Sequence, residues 1–484
     1  MMKRIMALLL VLLFLCLTPA AARAQAIAPT FESGVGRGNN YQEVIYITGR
    51  PVVLTGTLEV REGRPRGDRV DNRYTFKLEN KQEGIRLNRT LTLTTNWRQE
   101  GRQILRETTV SRFRETVIAG DDRYQVNDSG YQFNFSSITD SHPGVDYFSG
   151  NWFGRKVYDK NRGEGKVVVT QSGETVGHAS PWGEVENRKV VITIEGEFVR
   201  EEGEAAVPWL GTVREEASFT RKQEMTYVAN EPTAISFSGG YLVTTTGEDI
   251  LAYEYDLPKW NEDGEPVGRQ RGSATLYAAT PLGQERLPVP AFRDIRGHWA
   301  QEPVEQMASL GILEPTGLYF APGLPMLRGE FARALAQAGG MEVKVEEEQL
   351  FPDVPPEHPY APYINALARE GVVEGARYNR FQPQEAATRA QAAVMAVKLL
   401  GLERLAPVPP YSLPYLDDQQ IPLWARDAIY VAGEMGLLEP DSFGRIRPQA
   451  TITRAEAAAF LERLVTFLRE GMVREYQERL LNYS

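Results

Sequence analysis

Phe292-Arg293-Asp294, His298-Trp299-Ala300, Gly311-Ile312, Phe320-Ala321-Pro322 and Leu327-Arg328-Gly329-Glu330 follow one another in the last third of the chain, and the series then returns twice. The second copy reads Phe351-Pro352-Asp353, His358-Pro359-Tyr360-Ala361, Gly371-Val372, Phe381-Gln382-Pro383 and Thr388-Arg389-Ala390-Gln391. The third reads Tyr415-Leu416-Asp417, Trp424-Ala425, Gly436-Leu437, Ile446-Arg447-Pro448 and Thr453-Arg454-Ala455-Glu456. The step from Pro to Arg is six residues each time, and the Arg recurs after 61 and 65 positions. A repeat of that length is one supersecondary unit that buries its apolar face against its copies.

Each copy predicts two helices around a loop. Val304, Met307, Ala308 and Leu310 lie at helical spacing, as do Ile364, Leu367 and Ala368, then Ile429, Val431 and Ala432. A glycine closes each first helix. The second helix opens at the Arg. Thr388 with Gln391, and Thr453 with Glu456, fit a capping box. Free amides and the helix dipole favour an anion at such a start, and a guanidinium adds a planar two-pronged donor. Trp299 or Trp424 offers an apolar face to a sugar ring. The pattern therefore points to an acidic carbohydrate. The plainer reading is that Arg pairs with a neighbouring Glu and Trp is core.

The combined motif resembles the S-layer homology (SLH) domain of bacterial surface proteins, over about 292–471. The resemblance implies a pseudo-threefold bundle of three repeats with the first helices at its centre. It implies grooves between repeats that bind secondary cell-wall polysaccharide, commonly carrying pyruvate ketals. A pyruvate ketal is a carboxylate on a sugar. Arg328, Arg389 and Arg454 would be the anion contacts, with Trp299, Trp424 and Tyr360 as aromatic partners. The chain departs from the pattern in places: Leu327 stands where a capping Thr belongs, Gly329 lies inside the motif, Pro359 holds the Trp register and Leu423 replaces His. Asp294, Asp353 and Asp417 read as local Asx-turn formers.

The N-terminus reads as a secretory signal. Lys3 and Arg4 precede an apolar run, 5–17, and Ala22-Arg23-Ala24 offers a cleavage site. The run is too short for a mature membrane span. Cys16, the single cysteine, lies in it, so no disulfide or thiol chemistry is expected after cleavage. The net charge is −10 with both signs dispersed, which argues against a nucleic-acid surface. Four histidines, two of them inside the repeats, leave little for a metal site, and no cofactor or metal is expected.

Residues 27–281 read as strands rich in Thr, Val and Tyr, for example 52–60, 91–95, 167–170 and 241–246. Glu100-Gly101, Ser129-Gly130, Ser172-Gly173 and Asp263-Gly264 read as turns. The expectation is one large antiparallel assembly or two stacked β units. Ser141, His142 and Asp146 are close in sequence but read as a turn. Trp97, Trp152, Trp182, Trp209 and Trp260 could form a sugar platform or serve as core. An outer-membrane barrel fits poorly, because charges fall on both faces of strands such as 104–114.

The expected organisation is a multidomain chain. A signal peptide (1–24) precedes an all-β antiparallel region (27–281), then a linker (282–291). Repeats follow at 292–340, 350–402 and 415–471, in a mainly α bundle. The tail (472–484) carries Val473, Tyr476, Leu480 and Leu481 at helical spacing and reads as a helix. The expected function is that of a secreted cell-surface protein held non-covalently to wall polysaccharide. Its β region would be a structural, surface-layer or binding module with possible self-assembly. The alternative is a wall-anchored glycan hydrolase with its active site in the β half; no residue is singled out as catalytic.

Overall fold

The computed structural model describes residues 33–198, 207–229, 239–261, 266–315, 317–344, 348–375 and 377–471. The expected signal segment, the Asp263-Gly264 turn and the tail from 472 lie outside the described residues.

The β half is one sheet of thirteen strands, not two stacked units. They are β1 (Gly34–Ile45), β2 (Val52–Arg61), β3 (Arg69–Asn80), β4 (Ile85–Glu100), β5 (Gln103–Ala119), β6 (Asp122–Val126), β7 (Tyr131–His142), β8 (Val145–Lys160), β9 (Gly165–Ala179), β10 (Gly183–Phe198), β11 (Val207–Val228), β12 (Gly240–Trp260) and β13 (Pro266–Pro288). Every pairing is antiparallel, in a simple meander. β6 and β7 lie end to end between β5 and β8. A 3-10 turn, Asp128–Gly130, separates them, and Asn127 caps it by accepting from Ser129 N. The sheet curls until its first strand meets its last strands. Gly36 N donates to Asp249 Oδ2 at 2.9 Å, and Gln42 Nε2 donates to Tyr277 O at 3.3 Å. Outward positions of β4 and β5, including Arg86, Asn88, Arg112 and Arg114, are exposed and polar rather than lipid-like.

Glycines make the curl possible. Ser172-Gly173 is not a turn but the middle of β9, directly opposite Trp152 of β8. A Cβ on Gly173 would sit 2.2 Å from that indole. Gly196 stands against Trp209 in the same way, at 2.0 Å, and Gly177 against Phe148, at 2.4 Å. A ring laid over the glycine of the next strand fills the space a bent sheet would leave empty. The buried Trp152 and Trp209 each contribute about 1.5–3 kcal/mol.

Inside the curl sit two ionic layers. Arg89, 2% exposed, donates to Glu43 at 2.9 and 2.7 Å and to Glu115 at 2.7 Å. Lys156 and the Tyr158 hydroxyl complete the shell of Glu115. Burial pushes the Glu115 carboxyl up, but Arg89 and Lys156 outweigh it and hold the group ionised. The second layer, toward the repeats, holds Glu184, Glu186, Arg188 and Asp249, all buried. Burial pushes Glu184 up to about 7, Glu186 adds to the shift, and Arg221 and Arg37 oppose it.

The repeats form six helices: α1 (Gln301–Ser309), α2 (Arg328–Ala338), α3 (Ala361–Arg369), α4 (Arg389–Leu400), α5 (Leu423–Glu434) and α6 (Arg454–Thr466). The Arg-headed second helices, α2, α4 and α6, form the centre. Nearly all their apolar residues are buried. Each first helix packs on the second helix of a neighbour: α1 on α6, α3 on α2 and α5 on α4. That reverses the expected arrangement: the alanine-rich second helices are buried along nearly all their apolar residues and take the axis.

Three hydrogen bonds close the ring at that axis. Met326 N donates to Ile452 O, Ile452 N to Ala387 O and Ala387 N to Met326 O, each at 2.9 Å. The Asp residues act over a distance rather than in local turns. Asp294 accepts from Phe320 N and Ala321 N, Asp353 from Phe381 N and Gln382 N, and Asp417 from Ile446 N and Arg447 N. Ala321, Gln382 and Arg447 have φ of 58°, 61° and 51°, so each clamp holds a strained left-handed residue before a proline. The stretch 282–291, expected as a linker, is strand as far as Pro288, paired to β12.

Glu184 gives a pH test of the ionic layer. Its folded pKa lies above its unfolded value. Its favourable contribution is therefore present below about pH 4.5 and lost as pH rises through about 7. Glu184→Gln should match the wild type at pH 4.5 and melt higher than it at pH 8, by up to roughly 3 kcal/mol. Paired melting curves at the two pH values measure this, and a lower melting point at pH 8 contradicts it.

Candidate functional site

The three arginines sit where each repeat meets the next. The first two amides of every central helix are not free for an anion. Arg328 N and Gly329 N donate to Glu385 O and Pro383 O, Arg389 N and Ala390 N to Ala450 O and Pro448 O, and Arg454 N and Ala455 N to Leu324 O and Pro322 O. The third amide of α4 and of α6 goes to its own capping Thr. The six-residue Pro-to-Arg step brings each loop's proline carbonyl onto the helix start of the preceding repeat, cyclically. Helix dipoles remain at these ends, but their donors are used internally.

The guanidinium groups cross the same seams. Arg389 donates through Nε to Ile446 O at 2.7 Å, through Nη2 to Glu439 O at 2.9 Å and through Nη1 to Glu456 at 3.3 Å. Arg454 donates through Nε to Phe320 O at 2.8 Å and pairs closely with Glu330, its guanidinium 4.8 Å from the Phe320 ring centre. Both arginines therefore have a carboxylate partner from the third position of a neighbouring central helix.

Arg328 does not. That third position is Gln391 in the second repeat, and its Oε1 accepts from Thr388 N. Arg328 keeps one bond, Nη2 to Glu374 O at 3.1 Å, and lies 4.8 Å from the Phe381 ring centre. The residue is 8% exposed, and its Nε is buried without a hydrogen-bond partner. No acidic side chain pairs with it among the described residues. Burial pulls its pKa down, and Asp353 is the charge that opposes this. Leu327 supplies no side-chain cap, yet α2 still begins at the position equivalent to its copies.

The aromatics divide. Trp299 and Trp424 are not core; they are 64% and 59% exposed. Tyr360 is half-buried. It replaces the small residue at the start of its helix, and its ring lies against Gly329, where a Cβ would approach to 2.8 Å. That explains the glycine inside the first repeat's motif. Burial and the nearby Glu330 and Glu314 carboxylates push the Tyr360 hydroxyl up. Sequence reasoning missed the carbonyls of the proline loops and the role of Gln391. The Gln-for-Glu change was visible, but its meaning needed the ring.

In the β half, Ser141 donates to Asp146, while His142 pairs with Asp140 and Arg102, so the three do not form a relay. Trp152 and Trp209 are buried in the β core, Trp260 packs against it, and Trp182 packs against the helical core. The five tryptophans make no common platform.

Residues 291–332, 350–393 and 414–458 match the S-layer homology domain. The chain is 28% identical over 218 residues to an amylopullulanase of Thermoanaerobacterium thermosulfurigenes, covering 44% of this chain and 11% of that protein. It is 28% identical over 193 residues to the exoglucanase XynX of Acetivibrio thermocellus, covering 38% and 17%. It is 26% identical over 196 residues to an S-layer protein of Bacillus thuringiensis subsp. finitimus, covering 39% and 23%. The chain thus spans less than a quarter of the length of each of these relatives. Its C-terminal part is a set of three S-layer homology repeats, which are surface anchors, and the protein is located at the cell surface. Among the described residues no helix is long and apolar enough to cross a membrane.

The seam geometry predicts different costs for equivalent substitutions. Arg389→Ala takes the guanidinium from Glu456 and from two carbonyls, Arg454→Ala takes it from Glu330 and from one, and each should cost roughly 2–4 kcal/mol of stability. Arg328→Ala removes an uncompensated charge and one bond, and should cost about 1 kcal/mol. Chemical denaturation of the three full-length variants checks the order.

Proposed function

We propose that the protein is attached non-covalently to an acidic cell-wall polysaccharide through the grooves between its repeats, and that the groove of Arg328 is the principal anion contact. The observation that carries this is the missing carboxylate. In two of three seams the guanidinium is neutralised from within the ring, and in the third no carboxylate among the described residues pairs with it. The equivalent carboxylates, Glu330 and Glu456, keep side-chain exposures of 17% and 35%, so the corresponding place borders solvent. A sugar-borne carboxylate, such as a pyruvate ketal, would take that place and receive the strong paired contact that arginine offers. Trp299, Trp424 and the half-buried Tyr360 would supply apolar faces for sugar rings, as their exposure supports. Arg389 and Arg454 shape their grooves, with one edge committed to Glu456 and Glu330. The β half is read as a structural or binding module displayed by this anchor, with self-assembly in a surface layer as its natural setting.

Pull-down of the full chain by purified wall material tests the assignment. Arg328→Ala should weaken binding about ten- to a hundredfold, the worth of roughly 1.5–3 kcal/mol for a charged contact. Gln391→Glu gives a sharper arm. It installs the internal carboxylate that the other two seams have, so it should raise the melting temperature while weakening wall binding. Undiminished binding by a folded Gln391→Glu variant would remove Arg328 from the site.

A further inference from the structure

The ends of the central helices opposite the arginines are not open to solvent. Each of the three is met by the β half. Trp182 Nε1 donates to Ala338 O, the last residue of α2, at 2.7 Å. Gly144 N and the Tyr147 hydroxyl donate to Leu399 O and Leu400 O, the last two of α4, at 3.0 and 3.1 Å. Ser180 Oγ donates to Leu468 O, in the π-helical turn (Phe467–Gly471) that continues α6, at 3.1 Å. Helix C-termini present carbonyls that no intrahelical donor can reach. Here one indole, two hydroxyls and one amide supply the missing donors, and all come from two turns: that between β7 and β8, and that between β9 and β10.

The fit is steric as well as polar. Gly340 (φ 59°) and Gly401 (φ 68°) follow α2 and α4 in the left-handed conformation that ends a helix. Pro181 lies against the first, where a Cβ would come within 2.4 Å. The His142 ring lies against the second, where the approach would be 2.0 Å. Val145, 3% exposed, belongs to the same apolar cluster as Leu335, Leu399 and Leu464, and Tyr147 and Trp182 pack on it. Arg102 adds a bond to Glu370 O, just past the end of α3. The Ser180–Gly183 turn is itself braced, with Gly183 N donating to Ser180 Oγ and Arg221 Nη2 donating to Ser180 O.

We infer that the β half is not tethered to the repeats but seated in them: its two turns close the base of the three-helix centre, and the two halves unfold as one body. The repeat ring then depends on the β half for its lower face. The β half stands at a fixed attitude at the end of the central helices away from Arg328, Arg389 and Arg454. If the grooves bind the wall, as proposed above, it is held pointing outward. The seating itself rests on the contacts alone.

The test uses the full chain. Wild type should show one thermal transition, in which helical and strand signals are lost together. Trp182→Ala, and Tyr147→Phe with Trp182→Phe, should lower the temperature at which helical signal is lost and separate it from the strand transition. Both variants should also become cleavable by protease near 289–291 below that transition. Wall binding at low temperature should stay within about twofold of wild type, because the substitutions lie at the other end from Arg328. Two separate transitions in the wild type would overturn the inference, as would folded variants whose helical melting and cleavage do not change. A failure of the Arg328 and Gln391 substitutions to alter wall binding would leave this result untouched, so the two readings fail separately.

Discussion

Three backbone hydrogen bonds, Met326 to Ile452 to Ala387 and back to Met326, set the terms for everything in the C-terminal part. No repeat can make its own. Each amide at the axis is satisfied by the preceding copy around the ring, so a single repeat or a pair leaves buried polar groups open. An open solenoid adds units at its ends and needs caps there. A closed ring of three has no end to cap, but it must be complete. The Asp clamps serve the same geometry from outside. They hold Ala321, Gln382 and Arg447 in a costly conformation so that the following prolines present carbonyls to the central helix of the preceding repeat.

The ring also explains why the recurrent Arg is ambiguous in sequence. A guanidinium at a helix start is well placed for a ligand anion and equally well placed for the neighbour's third-position carboxylate. With Glu there, the arginine is absorbed into the fold. With Gln there, the same arginine keeps its position, since Phe381 and Glu374 O still hold it, but its charge has no partner. One atom type, oxygen for nitrogen at the end of residue 391, separates the two outcomes. The desolvation cost of that lone charge is the part of the site that a ligand carboxylate can recover.

Much of this was legible because repeats announce themselves three times. The helices, the capping Thr residues and the closing glycines recur at fixed spacing, and the structure carries them all. Which helix takes the axis was not legible, because both carry apolar faces, and only the assembled ring shows which of them is buried nearly all round. The strands of the β half followed from composition, yet Ser172-Gly173 misled. Gly in a strand and Gly in a turn look alike until the cross-strand partner is known, and Trp152 lies twenty-one residues earlier. Strand β8 is harder to read, since its small and polar residues, Ser149, Gly150 and Asn151, mask the alternation that Trp152, Tyr158 and Lys156 make on the inner face.

The two ends of the ring then diverge for different reasons. At the base a single asymmetric partner meets three pseudo-equivalent helices, so symmetry there cannot persist. The β half offers an indole to one helix end, a hydroxyl and an amide to the second and a serine to the third, and the sequences Ala338-Gly339-Gly340, Leu399-Leu400-Gly401 and Phe467-Leu468 differ accordingly. At the top no part of the chain imposes such a difference. Repeat one carries Leu327 and Gly329, repeat two Tyr360 and Gln391, and both sets of changes fall on the one seam they share. On that seam a tyrosine is fitted to a glycine, and a glutamine stands where the other two seams place a carboxylate against the arginine.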